Sequence, residues 1–247
     1  MADFETVRRD WIRLAELDPL WAVYVAPDTR GGRWDVAEFF HLGRVDVAAA
    51  LARLERLGLP TRFERVLDFG CGVGRLSQAL AEHAESVIGV DVAPPMIELA
   101  RELNPSPRCE FVLNDAPDLR AFPDAGVDLV FSELVLQHLP RPLIDTYLAE
   151  FLRVLRPGGI ALVQIPDRPL WTVKGAIWRL VPGRLVRYGQ RVFLRYPAPM
   201  RMTGVRPAHV RALVTRHGGT VLDVTGTADR AAHWRSMRYV IRRLPTI

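Results

Sequence analysis

The chain of 247 residues has little cysteine, few histidines and no long apolar run. Its two cysteines, Cys71 and Cys109, are too few for a disulfide framework or a cysteine-based zinc site, and its six histidines are scattered without metal-ligand spacing. No stretch of 18 apolar residues predicts a membrane span, and the charged N-terminal residues do not resemble a signal segment. We therefore expect a soluble, cytoplasmic protein without a bound metal, with peripheral membrane contact left open.

Acidic residues are scarce in the last third of the chain. Residues 1–166 hold 17 Arg against 25 Asp and Glu, a net charge of −8, whereas residues 167–247 hold 16 basic residues against three Asp, a net charge of +13. Lys174 is the single lysine, so the positive charge is almost entirely guanidinium, which the codon bias of a GC-rich genome also produces. The overall composition, 49% hydrophobic and 25% charged, is that of a globular protein and excludes collagen, coiled-coil arrays and wholesale disorder. The charge asymmetry therefore indicates a local feature in the last third of the chain.

From residue 64 onward, short apolar runs alternate with segments of helical periodicity. The runs that predict strands are 65–69, 86–90, 110–113, 127–131, 160–165, 220–224 and 237–241. Strands that alternate with helices predict a mostly parallel α/β sheet with helices on both faces. Residues 1–60 are helical and aromatic in pattern and predict an N-terminal helical cap, so we divide the chain into this cap and a sheet domain of residues 61–247.

Three glycines, Gly70, Gly72 and Gly74, follow the first predicted strand and lead directly into a helix. Glycines at such a turn let the backbone approach a ligand and present amides at a helix N-terminus. Asp91 ends the next strand, where a carboxylate can bind both hydroxyls of a ribose. These residues indicate a site for an adenosine-containing ligand.

Two side chains near the glycines argue against a dinucleotide. The sixth position of the dinucleotide fingerprint needs Gly or Ala, and this chain has Arg75 there. Asp68 would repel a pyrophosphate, but it suits a ligand with an ammonium group. Adenosine with a positively charged amino-acid tail describes S-adenosylmethionine.

At this point the chain resembles the class I S-adenosylmethionine-dependent methyltransferases. The resemblance covers residues 64–166 and extends through 203–243 as a closing helix and two strands. Its matching stretches are 68–74, 89–91, 114–116 with Phe122 and 128–130, and 155–159. It implies a doubly wound, mostly parallel seven-stranded sheet of the Rossmann-like methyltransferase fold, with an antiparallel last strand, N-terminal helices and a helical insert before the last helix. It also implies methyl transfer from S-adenosylmethionine.

The resemblance implies roles for single residues. Asp68, Gly70 and Gly72 would face the methionine part and Asp91 the ribose. Val92 and Met96 would lie against the adenine, Asp115 would accept from its amino group, and the Ala116 amide would donate to its ring. The expected cofactor-binding residues are Asp68, Gly70, Cys71, Gly72, Gly74, Asp91, Val92, Met96, Asn114, Asp115, Ala116 and Ser132. The alternatives are that Cys71 is only a small loop residue, Met96 a core residue and Asp115 a turn residue.

The segment after the fourth strand bears on the acceptor. It reads Ser-Glu-Leu-Val at 132–135, where exocyclic-amine methyltransferases carry Asn/Asp-Pro-Pro-Tyr/Phe, and the Pro-Cys nucleophile of cytosine-C5 enzymes is missing. We expect transfer to a small-molecule or lipid-like acceptor, at oxygen. His138 is a candidate general base, since an imidazole titrates near neutral pH, and Glu133 is a second candidate. A hydrogen-bonded histidine that only shapes the loop is an equal alternative for His138. A non-catalytic, cofactor-binding partner or scaffold is the alternative for the whole chain.

Aromatic residues of the N-terminal segment form a second group of candidates. Tyr24, Phe40 and His41 lie near an irregular, turn-rich stretch, and we expect them to line a substrate pocket. Hydrophobic docking against the sheet is the rival interpretation, and it is favoured for Phe4 and Trp11.

Residues 168–202 interrupt the alternation and carry eight basic residues and no acidic one. Arg184, Arg187, Arg191 and Arg195 fall on one narrow stripe of a helix whose other side is apolar, and Trp171 and Trp178 precede it as further candidate substrate contacts. Three interpretations compete. The segment is a lid with its apolar face packed on the protein, or it contacts an anionic membrane surface or a lipid-linked or phosphorylated acceptor, or it binds nucleic acid. Nucleic acid is the least favoured, because the body of the chain is acidic.

Overall fold

The computed structural model describes residues 2–26, 28–193, 196, 198–229 and 233–245. Its helices are α1 (Ala2–Leu17), α2 (Pro19–Val23), α3 (Val36–Arg56), α4 (Arg75–Leu80), α5 (Pro94–Leu103), α6 (Arg141–Val154), α7 (Val173–Leu180), α8 (Gly183–Val192) and α9 (Pro207–Arg216). Its strands are β1 (Phe63–Phe69), β2 (Ala84–Asp91), β3 (Cys109–Leu113), β4 (Val127–Ser132), β5 (Leu155–Pro169), β6 (Gly219–Asp229) and β7 (Trp234–Arg243). A 3₁₀ turn, Leu136–His138, follows β4.

The seven strands form one sheet in the order β3-β2-β1-β4-β5-β7-β6. β1 to β5 are parallel to one another, and β7 runs antiparallel between β5 and β6. In β1, Val66 pairs with Val87 of β2 on one side and with Leu129 of β4 on the other. The predicted doubly wound, mostly parallel sheet with an antiparallel last strand is therefore confirmed.

Helices cover both faces of the sheet, which explains why the strand sequences are continuously apolar. Along β4, Leu129 and Phe131 join the core that contains α3 and α4. Val130, which points the opposite way, joins the core that contains α6 and α9. Helix α6 buries Ile144 and Phe151 on the side facing the sheet, as its helical periodicity predicts.

The turn between β1 and α4 needs glycine for two reasons. Gly74 caps α4 with a φ of 82°, in the left-handed region. A Cβ at this position would also lie 2.8 Å from the ring of Phe111. Arg75, which excluded a dinucleotide, points away from the strands: its guanidinium is buried, binds Asp46 of α3 at 2.7 Å and lies 5.0 Å from the Tyr24 ring centre. The large residue is accommodated because α4 packs against α3.

The N-terminal helices are tied together by one buried carboxylate. Asp18 caps α2 by accepting a hydrogen bond from the Trp21 amide at 3.3 Å. Its other oxygen accepts from the amides of Gly31 and Gly32 at 2.6 and 2.9 Å. The turn-rich stretch before α3 is thus held against α2.

The basic segment of residues 168–202 contains α7 and α8. Helix α7 contacts the end of β5, and α8 contacts α7. Arg195, the last member of the predicted arginine stripe, lies outside the described residues, and so do the side chains of Arg184, Arg187 and Arg191. In the part of the chain that the structure describes, no helix combines the length and apolarity needed to cross a bilayer.

Candidate functional site

A cavity of about 90 Å³ lies at the carboxyl ends of β1, β2 and β4, beneath α1. Carboxyl ends of parallel strands are where open α/β sheets bind ligands. Seven residues that the sequence singled out line it: Gly70, Gly72, Asp91, Val92, Met96, Asn114 and Glu133. The structure therefore brings the glycine turn, the end of β2, the end of β3 and the segment after β4 to one place.

The carboxylate of Asp91 is held in position by the backbone. Its oxygens accept hydrogen bonds from the amides of Gly72 and Ala93, each at 3.0 Å. Burial raises the pKa of Asp91, and these backbone hydrogen bonds oppose the rise. The result is an oriented carboxylate beside two glycines, which can accept further hydrogen bonds from a ligand.

One end of the cavity is apolar and is closed by the segment after β3. Val92 and Met96 form the apolar wall next to Asn114. The Asn114 amide donates to the carbonyls of Ala116 and Asp118 at 3.3 and 3.1 Å, which curls this segment back on itself. Such a slot suits a flat aromatic ring.

Helix α6 anchors the segment after β3. The Tyr147 hydroxyl donates to the Ala116 carbonyl at 3.0 Å. Glu150 accepts from the Leu119 amide at 2.8 Å, and Arg153 donates to the Leu119 carbonyl at the same distance. The Arg153 guanidinium also binds Glu150 and lowers the pKa of that carboxyl. These contacts fix the segment after β3 against α6.

Several residues predicted to bind the cofactor lie away from the cavity wall. Among the described residues, Asp68, Cys71, Gly74, Asp115, Ala116 and Ser132 are not part of that wall. Gly74 and Cys71 face the interior, where the thiol packs near Ile97 and Phe111 and burial raises its pKa. Asp115 is exposed. The contact between Asp115 and a ligand remains a prediction, and the exposed position of Asp115 does not favour it.

Asp68 differs most from its expected position. It is buried below the glycine turn and accepts a hydrogen bond from the Ser77 hydroxyl of α4 at 2.6 Å. Burial raises its pKa to about 6. Its carboxylate therefore supports the turn from beneath, because side chains alternate along β1 and position 68 points toward α4.

Glu133 separates this cavity from a second one of about 230 Å³ between α3 and the sheet. The second cavity carries Arg53 and Arg56 of α3 on one wall and Arg238 of β7 on the other. Glu133 accepts a hydrogen bond from Arg238 Nε at 2.9 Å. Arg53 donates to the Arg238 carbonyl at 3.0 Å and to Asp223 at 2.7 Å, so it joins α3 to the edge strands.

His138 lies in the 3₁₀ turn, outside the walls of both cavities as far as the structure describes them. Its Nδ1 donates to the Arg201 carbonyl at 2.7 Å, so its Nε2 accepts from the Gln137 amide at 3.0 Å. Its ring packs edge-on against Trp11 at 5.1 Å. Burial lowers its pKa to about 4. With both nitrogens engaged, this placement favours the loop-shaping role over the general base.

The five predicted substrate contacts do not meet in one pocket. Phe40 is buried in the N-terminal core, Tyr24 packs on Trp34, and His41 is exposed. Trp171 is exposed, and Trp178 packs on Trp234. None of the five belongs to the described walls of either cavity, because the aromatic rings of α2 and α3 pack on one another rather than on the groove.

Helix α1 lines the cavity, a role that its sequence pattern did not predict. Phe4, Val7 and Trp11 line the cavity, together with Val23 of α2. The apolar spacing along α1 was visible in the sequence, but spacing alone does not tell whether a helix covers a core or a groove. The other cavity-lining residues that were not singled out are Phe69, Val90, Leu134, Val135, Leu139 and Tyr147.

Comparisons with known proteins agree with this architecture. A family model described as a methyltransferase domain matches residues 66–159. The malonyl-[acyl-carrier protein] O-methyltransferase of Serratia marcescens is 34% identical over 146 residues, which cover 57% of this chain and 55% of that protein. The ubiquinone biosynthesis O-methyltransferase of Xylella fastidiosa is 32% identical over 189 residues, 72% of this chain and 69% of that protein.

The fold likeness extends over nearly the whole chain. The crystal structure of magnesium protoporphyrin IX methyltransferase from Synechocystis PCC 6803 superposes with a TM-score of 0.65 at 19% identity, covering 97% of this chain and 99% of that one. The chain spans about half the length of several curated relatives that it matches, 55, 40 and 51% for three of them. With the glycine turn, the sheet order and the Xylella relative together, the chain belongs to the class I S-adenosylmethionine-dependent methyltransferases, a family of enzymes whose methyl donor is S-adenosylmethionine.

The chemistry of the cavity fits this cofactor. An oriented carboxylate, Asp91, stands between a glycine turn and an apolar slot. At about 90 Å³ the cavity is smaller than the roughly 300–1,000 Å³ typical of ligand sites. Val23 and Val135 narrow it, since a Cβ on Gly72 or Gly70 would overlap their methyl groups. Val23, Val135 and α1 therefore cover the groove, and a cofactor bound there would contact them.

Proposed function

We propose that the protein transfers the methyl group of S-adenosylmethionine to an oxygen atom of a small-molecule or lipid-like acceptor. The observation that carries this proposal is the shared wall of the two cavities at Glu133. A donor in the groove of the glycine turn and an acceptor in the arginine-lined cavity would meet at this carboxylate.

In the cofactor groove, Asp91 would accept hydrogen bonds from the two ribose hydroxyls. Its oxygens are already oriented by the amides of Gly72 and Ala93, so little order is lost on binding. Val92 and Met96 would lie against the adenine in the apolar slot. Gly70 and Gly72 let the backbone approach the methionine part closely.

The arginine-lined cavity supports an acceptor with an acidic oxygen, such as a carboxylic acid or a phenol. Arg53 and Arg238 are each paired with one carboxylate, and Arg56, on the exposed end of the same wall, has no ion pair among the described residues. Guanidinium groups favour the ionised form of an acid nearby and so make its oxygen a better nucleophile. The two O-methyltransferases named above, which are among the relatives, agree with transfer to oxygen.

Methyl transfer of this kind is an in-line displacement, so positioning the two reactants supplies much of the rate. S-adenosylmethionine, when bound, supplies a methyl carbon activated by a positive sulfur. Glu133 would accept the proton of an acceptor hydroxyl as its oxygen takes the methyl group, and an acceptor that arrives ionised would need no base. Arg238 would hold Glu133 at the junction of the two cavities.

The proposal is tested first by calorimetry with S-adenosylmethionine and S-adenosylhomocysteine, and then by transfer of a labelled methyl group. The acceptor panel comprises aliphatic carboxylic acids, catechols and prenylated hydroquinones. We expect binding of both cofactor forms and methyl ether or ester products in mass spectra. Cofactor binding with no transfer to any purified or cell-extracted small molecule would favour the non-catalytic scaffold instead.

Glu133→Gln tests the junction. We expect turnover with a hydroxyl acceptor to fall at least ten-fold, with cofactor affinity unchanged, because the substitution removes a proton acceptor but keeps the shape. Glu64→Gln, an exposed glutamate at the far end of β1, is the matched control. Unchanged turnover in Glu133→Gln would remove Glu133 from the reaction.

A further inference from the structure

Two neighbouring helices, α7 and α8, turn apolar side chains toward solvent. Half of the large hydrophobic residues exposed in the described part of the chain lie between positions 171 and 193: Trp171, Val173, Ile177, Leu180, Leu185, Tyr188, Val192 and Phe193. They form a surface that we call the α7–α8 surface. Exposed apolar residues scattered singly are ordinary, whereas this many in one short segment indicate an interaction site.

The spacing within each helix shows that these are complete apolar faces. In α7, Val173, Ile177 and Leu180 stand at i, i+4 and i+7, and Val173 is 85% exposed and Leu180 77%. In α8, Leu185, Tyr188 and Val192 repeat at i, i+3 and i+7. Such a face normally packs on the core of its own domain. Here it does not, which argues against a lid whose apolar side rests on the protein.

The opposite side of α7 is the anchored one. Trp178 packs edge-on against Trp234 of β7 with ring centres 6.0 Å apart. Thr172 caps the helix by accepting from the Gly175 amide at 3.0 Å. The helix is therefore fixed to the sheet by one side while the other side faces outward.

Aromatic and basic groups stand together at the edge of the surface. Trp171 is 80% exposed, and Phe193, at the end of α8, is 81% exposed. The Arg179 guanidinium lies 4.3 Å from the Trp171 ring centre and donates to the Pro169 carbonyl at 3.2 Å. Such a pair places a cation at the level of a large amphipathic ring, the arrangement typical of a membrane interface.

The charge of residues 168–202 indicates which kind of partner the α7–α8 surface binds. Residues 168–202 carry eight basic residues and no acidic one, whereas residues 1–166 have a net charge of −8. Arg168, Lys174 and Arg179 are exposed beside the apolar faces. An apolar face with exposed cations beside it complements a surface that offers anionic headgroups above an apolar layer.

We propose that the α7–α8 surface binds the protein to an anionic lipid bilayer, with the apolar faces of both helices in the headgroup region and the basic residues at the lipid phosphates. Binding is peripheral and reversible. It is independent of the acceptor proposed above, since it rests on a different part of the molecule.

Vesicle sedimentation tests the proposal with the full chain. The vesicles are phosphatidylcholine alone or phosphatidylcholine with about a third phosphatidylglycerol, at about 0.05 and 0.5 M salt, which changes the screening length several-fold. We expect binding to the anionic vesicles at low salt and at least a five-fold weaker partition at high salt or on neutral vesicles. No binding to anionic vesicles, or equal binding to both kinds, would overturn the proposal.

Variants separate the two components of binding. Trp171→Ser with Phe193→Ser should weaken partition at least ten-fold, and Lys174→Glu should weaken it several-fold at low salt only. The matched control for the aromatic pair is Val36→Ser with Leu57→Ser, which are exposed apolar residues at the ends of α3. The matched control for the lysine is Arg216→Glu on α9. Affinity for S-adenosylhomocysteine, measured by calorimetry, verifies that each variant is folded. Equal losses in the variants and their controls would contradict the assignment.

A second copy of the chain is the rival occupant of the α7–α8 surface. Light scattering without vesicles distinguishes the two. We expect the protein and the double variant Trp171→Ser with Phe193→Ser to have the same oligomeric state. A dimer that Trp171→Ser with Phe193→Ser dissociates would assign the surface to self-association and overturn the membrane proposal.

Discussion

At the scale of single residues, the decisive group is a carboxylate held by two backbone amides. Asp91 keeps its orientation because Gly72 and Ala93 each donate to it at 3.0 Å. The remaining lone pairs of its oxygens are available to a ligand, since a carboxylate has about four acceptor positions. The sequence identified this residue because it ends a strand next to the glycine turn.

Asp91→Asn should weaken the binding of S-adenosylhomocysteine about ten- to a hundred-fold, since hydrogen bonds to a charged acceptor contribute about 1.5–3 kcal/mol. Calorimetry measures the change. Asp115→Asn is the matched control, because Asp115 is exposed and not part of the described cavity wall, and its affinity should stay within two-fold. Equal losses in the two variants would show that the sequence assignment of Asp115 to the adenine was correct.

His138 carries a pH prediction rather than a catalytic one. Its pKa is lowered from 6.5 to about 4 by burial. As the pH falls from 6.5 to 4, the unfolded chain takes up a proton at this residue and the folded chain does not, so the free energy of unfolding decreases. The stabilisation is present above pH 6.5 and is lost toward pH 4.

The measurement is urea unfolding of the protein and of His138→Gln at several pH values. The stability difference between the two should narrow by about 1–3 kcal/mol from pH 7 to pH 4. Asp68 titrates in part of the same range with the opposite sign, because its pKa is raised to about 6, but it is present in both proteins and cancels. A difference that is constant with pH would contradict the buried, neutral ring.

At the scale of elements, the close crossing of α3 and α4 positions the glycine turn. Gly43 of α3 faces the first turn of α4, where a Cβ would overlap the Arg75 carbonyl oxygen and lie 2.9 Å from Arg75 Cγ. Arg75 also binds Asp46 of α3 at 2.7 Å. The two helices therefore depend on a small residue at their contact.

Gly43→Ala should lower the free energy of unfolding by about 1–3 kcal/mol, since the overlap involves backbone atoms that cannot move aside. Gly189→Ala in α8 is the control: its Cβ would lie 3.8 Å from the nearest atom, the Phe193 ring. There we expect no loss and a gain of up to about 1 kcal/mol from helix propensity. Denaturant midpoints compare the two, and equal effects would show that the α3–α4 contact is looser than described.

At the scale of the whole molecule, an N-terminal helix and a sheet assembled from distant segments close one groove. Phe4, Val7 and Trp11 of α1 form part of its wall opposite the ends of β1 and β2. A ligand bound in this groove would contact this cover. Binding should therefore be coupled to the stability of α1.

Hydrogen exchange with and without S-adenosylhomocysteine measures this coupling. Amides of Ala2–Leu17 should exchange at least several-fold more slowly in the complex, because the ligand binds the folded cover and not its open form. Amides of Pro207–Arg216 in α9, on another part of the sheet, should change little. Equal slowing of both helices would indicate global stabilisation only.

The strands, the glycine turn and the alternation of strands with helices could be predicted from the local sequence pattern. The strands stand out in the sequence because both faces of a parallel sheet are buried, which makes its strands apolar throughout. The local pattern also predicted that Gly70, Gly72 and Asp91 lie together, and the structure places all three on the wall of one cavity. Only the tertiary structure decided which way the other side chains point. Asp68 supports α4, His138 uses its two ring nitrogens in hydrogen bonds to Gln137 and Arg201, and α1 covers the groove.

The arginine-rich last third of the chain shows the same difference between what the sequence determines and what only the tertiary structure determines. Its composition and helical spacing were legible in the sequence alone, since they depend only on residue order. Whether the apolar faces of α7 and α8 meet the protein or the solvent depends on what the rest of the chain leaves uncovered. The sheet is already covered on both faces by α3, α4, α6 and α9, and the apolar faces of α7 and α8 are left exposed.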